Sequence, residues 1–396
     1  MTKPILILLC CYLFGVSAPL AHAGQLSRER ARRVSKSGRL DDSKTKLYPV
    51  DKTAGDIWSS VIRATRGDGS IKALRLHFAF NADDVNQAGQ AAAWQVIATD
   101  LAGNELWQFD SASESDFDDF WSSELPTDAV AIRIVSKVPN SVLKLVCDKR
   151  IEYLEPIQEK SIVGEDNSVE ITRVTNQEHV LWGRSVARLT FVIREDDQDE
   201  VLTCTGFLVA PQLFVTNEHC PRGDKERKSA IVEFDYDVEK ARTKIYRLKT
   251  ELLRNEDLDF AFYELNRPVS DRASLKFATD AQSLDNQKPL IIIQHPAGLP
   301  KRLAAINCQV KTSASCMQPP TDFGHECDTQ GGSSGSPVQN NAGLVIGIHH
   351  LGFDPAIVDL ALQINQAVKI DAIIDFIKKE KSVKAQKVRQ FLAISQ

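Results

Sequence analysis

Two long stretches of the chain alternate hydrophobic and polar residues with a period of two, which is typical of half-buried β-strands. In residues 51–155, Leu74, Leu76, Phe78 and Phe80 alternate with other side chains, and further short apolar runs follow between turn residues. Short strands separated by turn signals predict an antiparallel β-sandwich domain at 51–155.

The second stretch, residues 160–380, has the same all-β character and closes with a different pattern. Its predicted strands include Ala187–Ile193, Leu202–Ala210, Phe260–Leu265 and Pro289–Gln294. Near its end, the i, i+3, i+4, i+7 spacing of a helix with one buried face is formed by Ile370, Ile373, Ile374 and Ile377. The pattern predicts an all-β domain with a C-terminal helix, followed by a C-terminal tail at 381–396.

The first 23 residues have the features of an export signal. Lys3 supplies a positive start, residues 5–16 are apolar, and Ala21-His22-Ala23 fits a small-x-small cleavage site. We expect cleavage after Ala23 and a secreted or periplasmic protein. Residues 24–50 are polar and begin with several arginines, which predicts a basic, flexible pro-segment; an arm for nucleic acid or membrane is the alternative.

Composition narrows the function classes. The 396 residues are 43% apolar, enough for more than one core, and the net charge of −5 gives no electrostatic support for nucleic-acid binding. Beyond the leader no window reaches about 18 apolar residues, so no stable membrane insertion is expected. Asp116, Asp118 and Asp119 could bind calcium, but they lack a glycine-containing metal loop, and a solvated strand edge is the favoured interpretation.

Six cysteines remain once the leader is removed: Cys147, Cys204, Cys220, Cys308, Cys316 and Cys327. An even number in an exported chain predicts disulfides, with the pairing left open. Because no C-x-x-C or H-x-x-x-H spacing occurs, we expect no metal ion, and no cofactor motif stands out.

One histidine directly precedes a cysteine, in the segment Val215-Thr216-Asn217-Glu218-His219-Cys220. A bridge from Cys220 to Cys204 would close a loop of about 16 residues and contribute roughly 3 kcal/mol. It would also fix the loop that carries His219, and a general base requires such rigid placement.

An aspartate heads the apolar strand in the segment Asp257-Leu258-Asp259-Phe260-Ala261-Phe262. A carboxylate enters the interior only if a partner satisfies its charge, and a histidine Nδ1–H is a fitting one. Asp259 is favoured because it abuts the hydrophobic run, and Asp257 is the competing candidate.

A glycine-serine run, Asp328-Thr329-Gln330-Gly331-Gly332-Ser333-Ser334-Gly335-Ser336-Pro337-Val338, leads directly into an apolar strand, unlike a flexible linker. Gly332 would let the backbone turn an N–H toward a developing oxyanion, and Ser334 would supply a second N–H and a nucleophilic hydroxyl. Gly331-x-Ser333-x-Gly335 also fits the nucleophile elbow of α/β-hydrolases, but that fold needs alternating strands and helices and the chain order Ser, Asp, His.

The segments TCTGFLVAPQLFVTNEHC, DLDFAF and CDTQGGSSGSPV, in that order, resemble the histidine, aspartate and serine motifs of chymotrypsin-fold (trypsin-like) serine proteases, and most of all the secreted bacterial glutamyl-endopeptidase branch. The likeness covers about residues 160–380. It implies a two-barrel fold with the site between the barrels, His219 as base, Asp259 as its orienting partner and Ser334 as nucleophile. The N–H groups of Gly332 and Ser334 would form the oxyanion hole.

Ser333 departs from the animal digestive proteases, which carry an aspartate just before the nucleophile. Activation by pairing a freed N-terminal amine with that aspartate is therefore not expected here.

The resemblance implies two conflicting substrate preferences. Thr329 and His349 stand where glutamyl endopeptidases hold an acidic side chain, whereas Asp328 stands where trypsin-like enzymes place the carboxylate that selects Lys or Arg. An ionised Asp328 would repel an acidic side chain, so the acidic preference, which we favour, requires Asp328 to point away. Two other histidines, His295 and His350, are interpreted as structural or rim residues.

The four remaining cysteines suggest two further disulfides. Cys308–Cys327 would brace the loop before the nucleophile, and Cys147–Cys316 would tie the sandwich to the protease domain.

Together these features predict a secreted serine endopeptidase that hydrolyses peptide bonds of polypeptide substrates through an acyl-enzyme. The alternative is a catalytically inactive protease fold used as a binding or adhesion module. The sandwich is either a removable prodomain or a permanent substrate-targeting module.

Overall fold

The computed structural model describes most of the chain beyond residue 30. The described residues are 31–39, 55–65, 71–80, 94–112, 118–136, 145–156, 160–162, 165–195, 198–239, 243–278, 284–312, 320–353 and 364–394. The predicted export signal at 1–23 lies outside them, and so does the acidic residue Asp116.

The amino-terminal domain consists of two antiparallel sheets that face each other across an aromatic core. Its strands are β1 (Ala31–Arg39), β2 (Gly55–Arg63), β3 (Ala73–Phe80), β4 (Trp94–Thr99), β5 (Glu105–Asp110), β6 (Asp119–Trp121), β7 (Ala129–Ser136) and β8 (Leu145–Pro156). One sheet has the order β2-β7-β4-β5, and the other has β1-β8-β3-β6. Phe109 and Phe120 stack at 3.8 Å between them, beside the fully buried Phe78 and Trp94.

The predicted flexible pro-segment at 24–50 is wrong for nine of its residues, because 31–39 form strand β1. This strand pairs with β8 over most of its length, and its first two residues pair with Thr203 and Leu202 of the next domain. The backbone of β1 thus has hydrogen-bond partners in both domains. The polar composition of this segment could not reveal that pairing, because the partner strands are distant in sequence.

The first half of the carboxyl-terminal domain is a closed six-stranded antiparallel barrel. Its strands are β11 (Val186–Glu195), β12 (Gln198–Ala210), β13 (Leu213–Thr216), β14 (Ile231–Phe234), β15 (Lys244–Asn255) and β16 (Phe260–Leu265). The order β11-β14-β15-β16-β13-β12 closes because β11 also pairs with β12. Alternate residues such as Leu189, Phe191, Phe214 and Phe234 fill the interior.

The second half is an open half-barrel of eight strands in the order β10-β18-β17-β22-β23-β24-β20-β19. Its strands are β10 (Val169–Glu170), β17 (Ile291–Gln294), β18 (Arg302–Ala304), β19 (Val310–Lys311), β20 (Asp322–His325), β22 (Pro337–Gln339), β23 (Val345–Leu351) and β24 (Asn365–Lys369). A separate pair joins β9 (Lys160–Ser161) to β21 (Thr329–Gln330). The predicted all-β, two-barrel architecture is confirmed.

Within the described segments, four α-helices lie outside the barrels: α1 (Gln177–Gly183), α2 (Gly223–Ser229), α3 (Ile370–Lys379) and α4 (Val383–Leu392). Helix α3 is the predicted C-terminal helix, and Ile370, Ile373, Ile374 and Ile377 are its buried residues. Residues 383–392 of the predicted tail also form a helix. The Ser382 side chain caps α4 by accepting the N–H of Ala385, and Ala385 and Val388 are fully buried. None of the helices in the described segments is long and apolar enough to span a bilayer.

One apolar layer joins the two barrels to the C-terminal helices. Phe207 and Val215 of the first barrel, Ile293 and Ile348 of the second, and Ile373 of α3 belong to the same buried cluster.

Candidate active site

His219 lies in a buried loop directly after β13. A disulfide joins Cys220 to Cys204 of β12 across 16 positions of sequence, as predicted. His219 is 2% exposed. The loop is therefore attached to the barrel wall next to the histidine, and little conformational freedom remains for its backbone.

Asp259 binds His219 through both carboxylate oxygens. Oδ2 lies 2.7 Å from His219 Nδ1, and Oδ1 accepts the backbone N–H of His219 at 3.0 Å. The alternative, Asp257, is exposed. Asp259 reaches the histidine because its backbone adopts a left-handed conformation, with φ of 42°, just before β16 begins. Aspartate tolerates this conformation better than most residues.

The environment keeps Asp259 ionised. Burial alone would raise the pKa of this carboxyl, but the charge and hydrogen bond of His219, together with those of His350, hold the pKa well below its usual range. The Asn217 side chain also donates to the Asp259 carbonyl at 2.7 Å. A stable carboxylate fixes the histidine with its Nδ1 protonated and leaves Nε2 able to accept a proton. Nε2 is buried and has no hydrogen-bond partner among the described residues.

Ser334 lies on a tight turn between β21 and β22, and Thr205 of the first barrel holds that turn from outside. The Thr205 backbone N–H donates to the Ser334 carbonyl at 2.8 Å, and Thr205 Oγ1 donates to the Gly332 carbonyl at 2.8 Å. Because Thr205 follows Cys204 and Cys204 is bonded to Cys220, the serine turn and the histidine loop are attached to the same short piece of β12.

The backbone N–H groups of this turn differ in whether they have an acceptor. The N–H groups of Ser333, Gly335 and Ser336 donate to carbonyls of the same turn or of His349. Those of Gly332 and Ser334 have no partner among the described residues. Gly332 has φ of 94°, a conformation that permits this orientation and favours glycine. Such a pair can stabilise negative charge on an oxygen.

Ser333, the rival nucleophile of the α/β-hydrolase interpretation, has a different environment. It is fully buried, and its Oγ accepts the N–H of Gln330 at 3.1 Å. This contact shapes the turn. The α/β-hydrolase interpretation also fails on the fold, because the surroundings are all-β and the motifs occur in the order His, Asp, Ser.

His350, which sequence analysis interpreted as structural or a rim residue, contacts the aspartate of this site. Its Nδ1 lies 3.3 Å from Asp259 Oδ2, and its Nε2 lies 2.9 Å from Asp322 Oδ2. No local motif marks this role, because the three residues come from separate parts of the chain. The other such residue, His295, is fully buried, and its Nδ1 donates to the Leu299 carbonyl at 3.1 Å, consistent with a structural role.

The three residues predicted to set the substrate preference, Asp328, Thr329 and His349, are all buried. Asp328 is 4% exposed, and its Oδ2 accepts the backbone N–H of Asn167 at 2.8 Å. Thr329 is 1% exposed, and its Oγ1 has no hydrogen-bond partner within the described part of the chain. His349 is 3% exposed, and its Nδ1 lies 3.1 Å from His325 Nε2. Burial, reinforced by neighbouring histidines, holds the pKa of His349 well below its usual range, so its ring is neutral at pH 7.

The second predicted disulfide, Cys308–Cys327, is present, one residue before Asp328. The predicted Cys147–Cys316 disulfide is wrong, because Cys147 is a free cysteine. It is fully buried in the sandwich core opposite Phe78, and Cys316 lies outside the described residues.

One group of side chains has the spacing of metal ligands. The sulfurs of Cys204 and Cys220 and a ring nitrogen of His219 lie within 4.8 Å of one another. The two sulfurs are bonded to each other, so they offer no thiolate to a metal ion.

Comparison with known proteins identifies the class. Residues 204–348, which include His219, Asp259 and Ser334, match the family model of the trypsin-like peptidase domain. This segment is therefore a trypsin-like peptidase domain, and the two barrels have the chymotrypsin fold of serine proteases.

Particular relatives are distant. An uncharacterised protein, y4fB, of Sinorhizobium fredii is 26% identical over 210 residues, covering 49% of this chain and 31% of the relative. Secreted RxLR effector protein 73 of Plasmopara viticola is 24% identical over 269 residues, covering 60% of this chain and 65% of the relative. The chain thus spans less than two thirds of either relative's length.

Similar solved structures include a Glu endopeptidase in complex with MPD, with 18% identity, a TM-score of 0.41, and coverage of 55% of this chain and 97% of that one. A serine endoprotease from Yersinia pestis has 15% identity, a TM-score of 0.39, and coverage of 52% and 65% respectively.

Proposed function

We propose that the protein is a serine endopeptidase that acts through His219, Asp259 and Ser334. Ser334 Oγ attacks the peptide carbonyl, His219 Nε2 accepts its proton and passes it to the leaving amine, and the C–N bond breaks to give an acyl ester on Ser334. Water, deprotonated by the same histidine, then hydrolyses the ester. The N–H groups of Gly332 and Ser334 stabilise the oxyanion of each tetrahedral intermediate.

The observation that carries this proposal is the two-point hold of Asp259 on His219 beside a turn with two unpartnered amides. A structural histidine needs one partner, whereas a general base needs a fixed tautomer and a free second nitrogen. The test is covalent labelling of the full-length protein with a fluorophosphonate probe. Mass spectrometry should place the phosphonyl group on Ser334.

Ser334→Ala should abolish labelling while the circular dichroism spectrum and melting temperature stay close to those of the parent. A folded parent protein that resists the probe and leaves casein intact would favour the binding or adhesion module instead.

We also propose that the enzyme prefers an acidic over a basic side chain on the acyl side of the cleaved bond. Asp328, which would select Lys or Arg, is buried and accepts an N–H from Asn167, so its carboxylate is engaged by the protein's own backbone. Thr329 offers a buried hydroxyl without a described partner, and an incoming carboxylate could satisfy it.

Matched peptides that differ only in Glu, Gln or Lys at that position test the preference. We expect kcat/KM to be highest for Glu, and Thr329→Val to lower it about tenfold for the Glu peptide, as the loss of one hydrogen bond to a charged group. The labelling rate of Ser334, which does not use this pocket, serves as the control. Faster cleavage after Lys would overturn the proposed preference.

The domain arrangement supports a permanent rather than a removable sandwich. An apolar cluster of Trp121, Ile151 and Tyr153 from the sandwich packs with Val192 and Val201 of the first barrel. The fully buried Arg75 of β3 donates to the Ser229 carbonyl at 2.6 Å in the barrel domain. Separating the domains would expose this apolar surface and leave buried polar groups without partners.

The same boundary carries further charged contacts. Arg247 of β15 donates to the Trp121 carbonyl at 2.8 Å, and Arg188 pairs with Glu124 at 3.2 Å. We therefore propose that the mature enzyme is exported, that its two disulfides form in an oxidising compartment, and that it retains residues from near Gly24 onward. Mass spectrometry of the exported form checks this: a start near Ile162 would show that the sandwich is removed.

A further inference from the structure

His350 is held between two carboxylates, one of which is the proposed catalytic aspartate. Its Nδ1 lies 3.3 Å from Asp259 Oδ2, and its Nε2 lies 2.9 Å from Asp322 Oδ2. The same Asp259 oxygen lies 2.7 Å from His219 Nδ1. Four side chains thus form one continuous hydrogen-bonded row in the order His219, Asp259, His350 and Asp322.

The row is shielded from solvent. The side chain of His350 is 10% exposed, that of Asp259 12% and that of Asp322 4%. Screening by salt and water is therefore weak, and a charge on one member acts strongly on the others.

The contacts of His350 require both of its ring nitrogens to donate, which only the protonated ring can do. Burial alone would lower its pKa, but the hydrogen bonds and charges of Asp259 and Asp322 raise the pKa of His350 to about 9. The ring therefore carries a positive charge at neutral pH.

Two further histidines face His350 from β20 and β23. Burial lowers the pKa of His325 to about 3, and burial with histidine repulsion lowers that of His349 well below its usual range. Both rings are neutral where the enzyme would act, so His350 is the charged member of this group of three.

We propose that His350 is a positioning residue for the catalytic machinery: it fixes the Asp259 oxygen that holds His219, and its positive charge resists protonation of His219. This inference rests on the proposed function and deepens it. Asp322 keeps His350 in place from the far side, and its negative charge offsets the cost of a buried cation.

The charge of His350 should affect the pH dependence of the reaction at Ser334. Protonating His219 places a second positive charge close to His350, two hydrogen bonds away. Removing the charge of His350 removes this repulsion, so we expect Ser334 to become reactive only at a higher pH.

The experiment measures the rate of fluorophosphonate labelling of the full-length protein as a function of pH. In His350→Gln, whose side chain can still donate a hydrogen bond but carries no charge, we expect the acid limb of the profile to move to higher pH by about one pH unit or more. A merely structural role would lower the rate at every pH without moving the limb.

His77→Gln is the matched control. His77 is a buried histidine of the sandwich between two aspartates, with Nδ1 2.5 Å from Asp148 and Nε2 2.7 Å from Asp119, and its pKa is also raised. This variant loses a similar imidazole away from the site, so its labelling profile should match that of the parent.

A second measurement does not depend on how well His350→Gln folds, because it observes the His350 ring itself. In ¹⁵N-histidine-labelled His77→Gln protein at pH 8, NMR should show one imidazolium with both ring N–H groups protected. Its absence would overturn the proposed charge, and a His350→Gln profile identical to that of the parent would overturn the positioning role. If the parent is not labelled at all, the proposed function itself fails, which is a separate outcome.

Discussion

The backbone N–H of Thr205 donates to the Ser334 carbonyl at 2.8 Å, so a strand of the first barrel holds the turn of the proposed nucleophile. The Thr205 side chain adds a bond to the Gly332 carbonyl and accepts the N–H of His295 at 3.0 Å. The shape of the turn therefore depends on contact between the two barrels. A substitution that separates them should stop labelling of Ser334 even when the three proposed catalytic side chains are intact.

Gly335→Ala should damage this contact. Gly335 has φ of 88°, and a Cβ there would lie 2.1 Å from the Thr205 carbonyl oxygen and 2.3 Å from Thr216 Oγ1. We expect a loss of about 3 kcal/mol or more in the free energy of unfolding and loss of labelling, because backbone blocks the added methyl. Urea denaturation and the fluorophosphonate assay measure both.

Gly103→Ala is the control for backbone strain alone. Gly103 also has φ of 88°, but its Cβ would meet nothing within 4 Å. It should cost about 1 kcal/mol and leave labelling unchanged. Equal effects of the two substitutions would show that the close approach to Thr205 is unimportant.

Removing the disulfide next to His219 should weaken both fold and activity. The double variant Cys204→Ser/Cys220→Ser opens a loop of 16 positions, for which we expect a loss of about 3 kcal/mol in the free energy of unfolding. Labelling should slow because the histidine loop is no longer attached to β12. Cys147→Ser, which removes a free thiol, is the control and should leave the sensitivity of the protein to reducing agent unchanged. A parent protein whose stability does not change on reduction would contradict the predicted role of the disulfide.

The stability contribution of His350 should depend on pH with a defined sign. Its pKa is raised from 6.5 to about 9, so the folded state binds this proton more tightly than the unfolded state. The stabilisation is complete below the unfolded-state pKa and is lost as the pH rises through the folded-state pKa. The difference in unfolding free energy between the parent and His350→Gln should therefore fall by up to about 3 kcal/mol from pH 6.5 to beyond pH 9. A difference that does not change over this interval would mean that the ring is neutral.

The boundary between the sandwich and the first barrel should control cooperative unfolding. Arg75→Leu would leave the carbonyls of Ser122 and Ser229 without their donor, which we expect to cost about 3 kcal/mol. Calorimetry should then show the single transition of the parent lowered or split in two. Arg63→Leu, which replaces an exposed arginine on β2, should change the free energy of unfolding by no more than about 0.5 kcal/mol.

The sequence was sufficient for features that depend on short segments. The period-two pattern predicted two all-β domains, and the family resemblance of the motifs around His219, Asp259 and Ser334 implied the two barrels. Each of these motifs is shorter than twenty residues, so the sequence alone could mark the side chains. The choice of Asp259 over Asp257 followed from its place at the start of an apolar strand. The left-handed backbone conformation of Asp259 lets its side chain reach His219.

Features that depend on distant segments could not be predicted in this way. His350 gains its partners only because β23 passes the turn before β16 and lies two strands from β20 in the half-barrel. The hydrogen bond from Asn167 to Asp328 joins residues 161 positions apart, so the orientation of that carboxylate was open. The second C-terminal helix was missed because its apolar face is short and its capping serine is a single residue.

Strand β1 hydrogen-bonds to β8 of the sandwich and to β12 of the barrel, so the peptide between Pro156 and Lys160 is not what keeps the two domains together. A protease that nicked the chain at that point would yield two bands on a denaturing gel but one particle in gel filtration. A cleavage event of this kind would therefore not release the barrels, and an intact-looking particle would be no proof of an intact polypeptide.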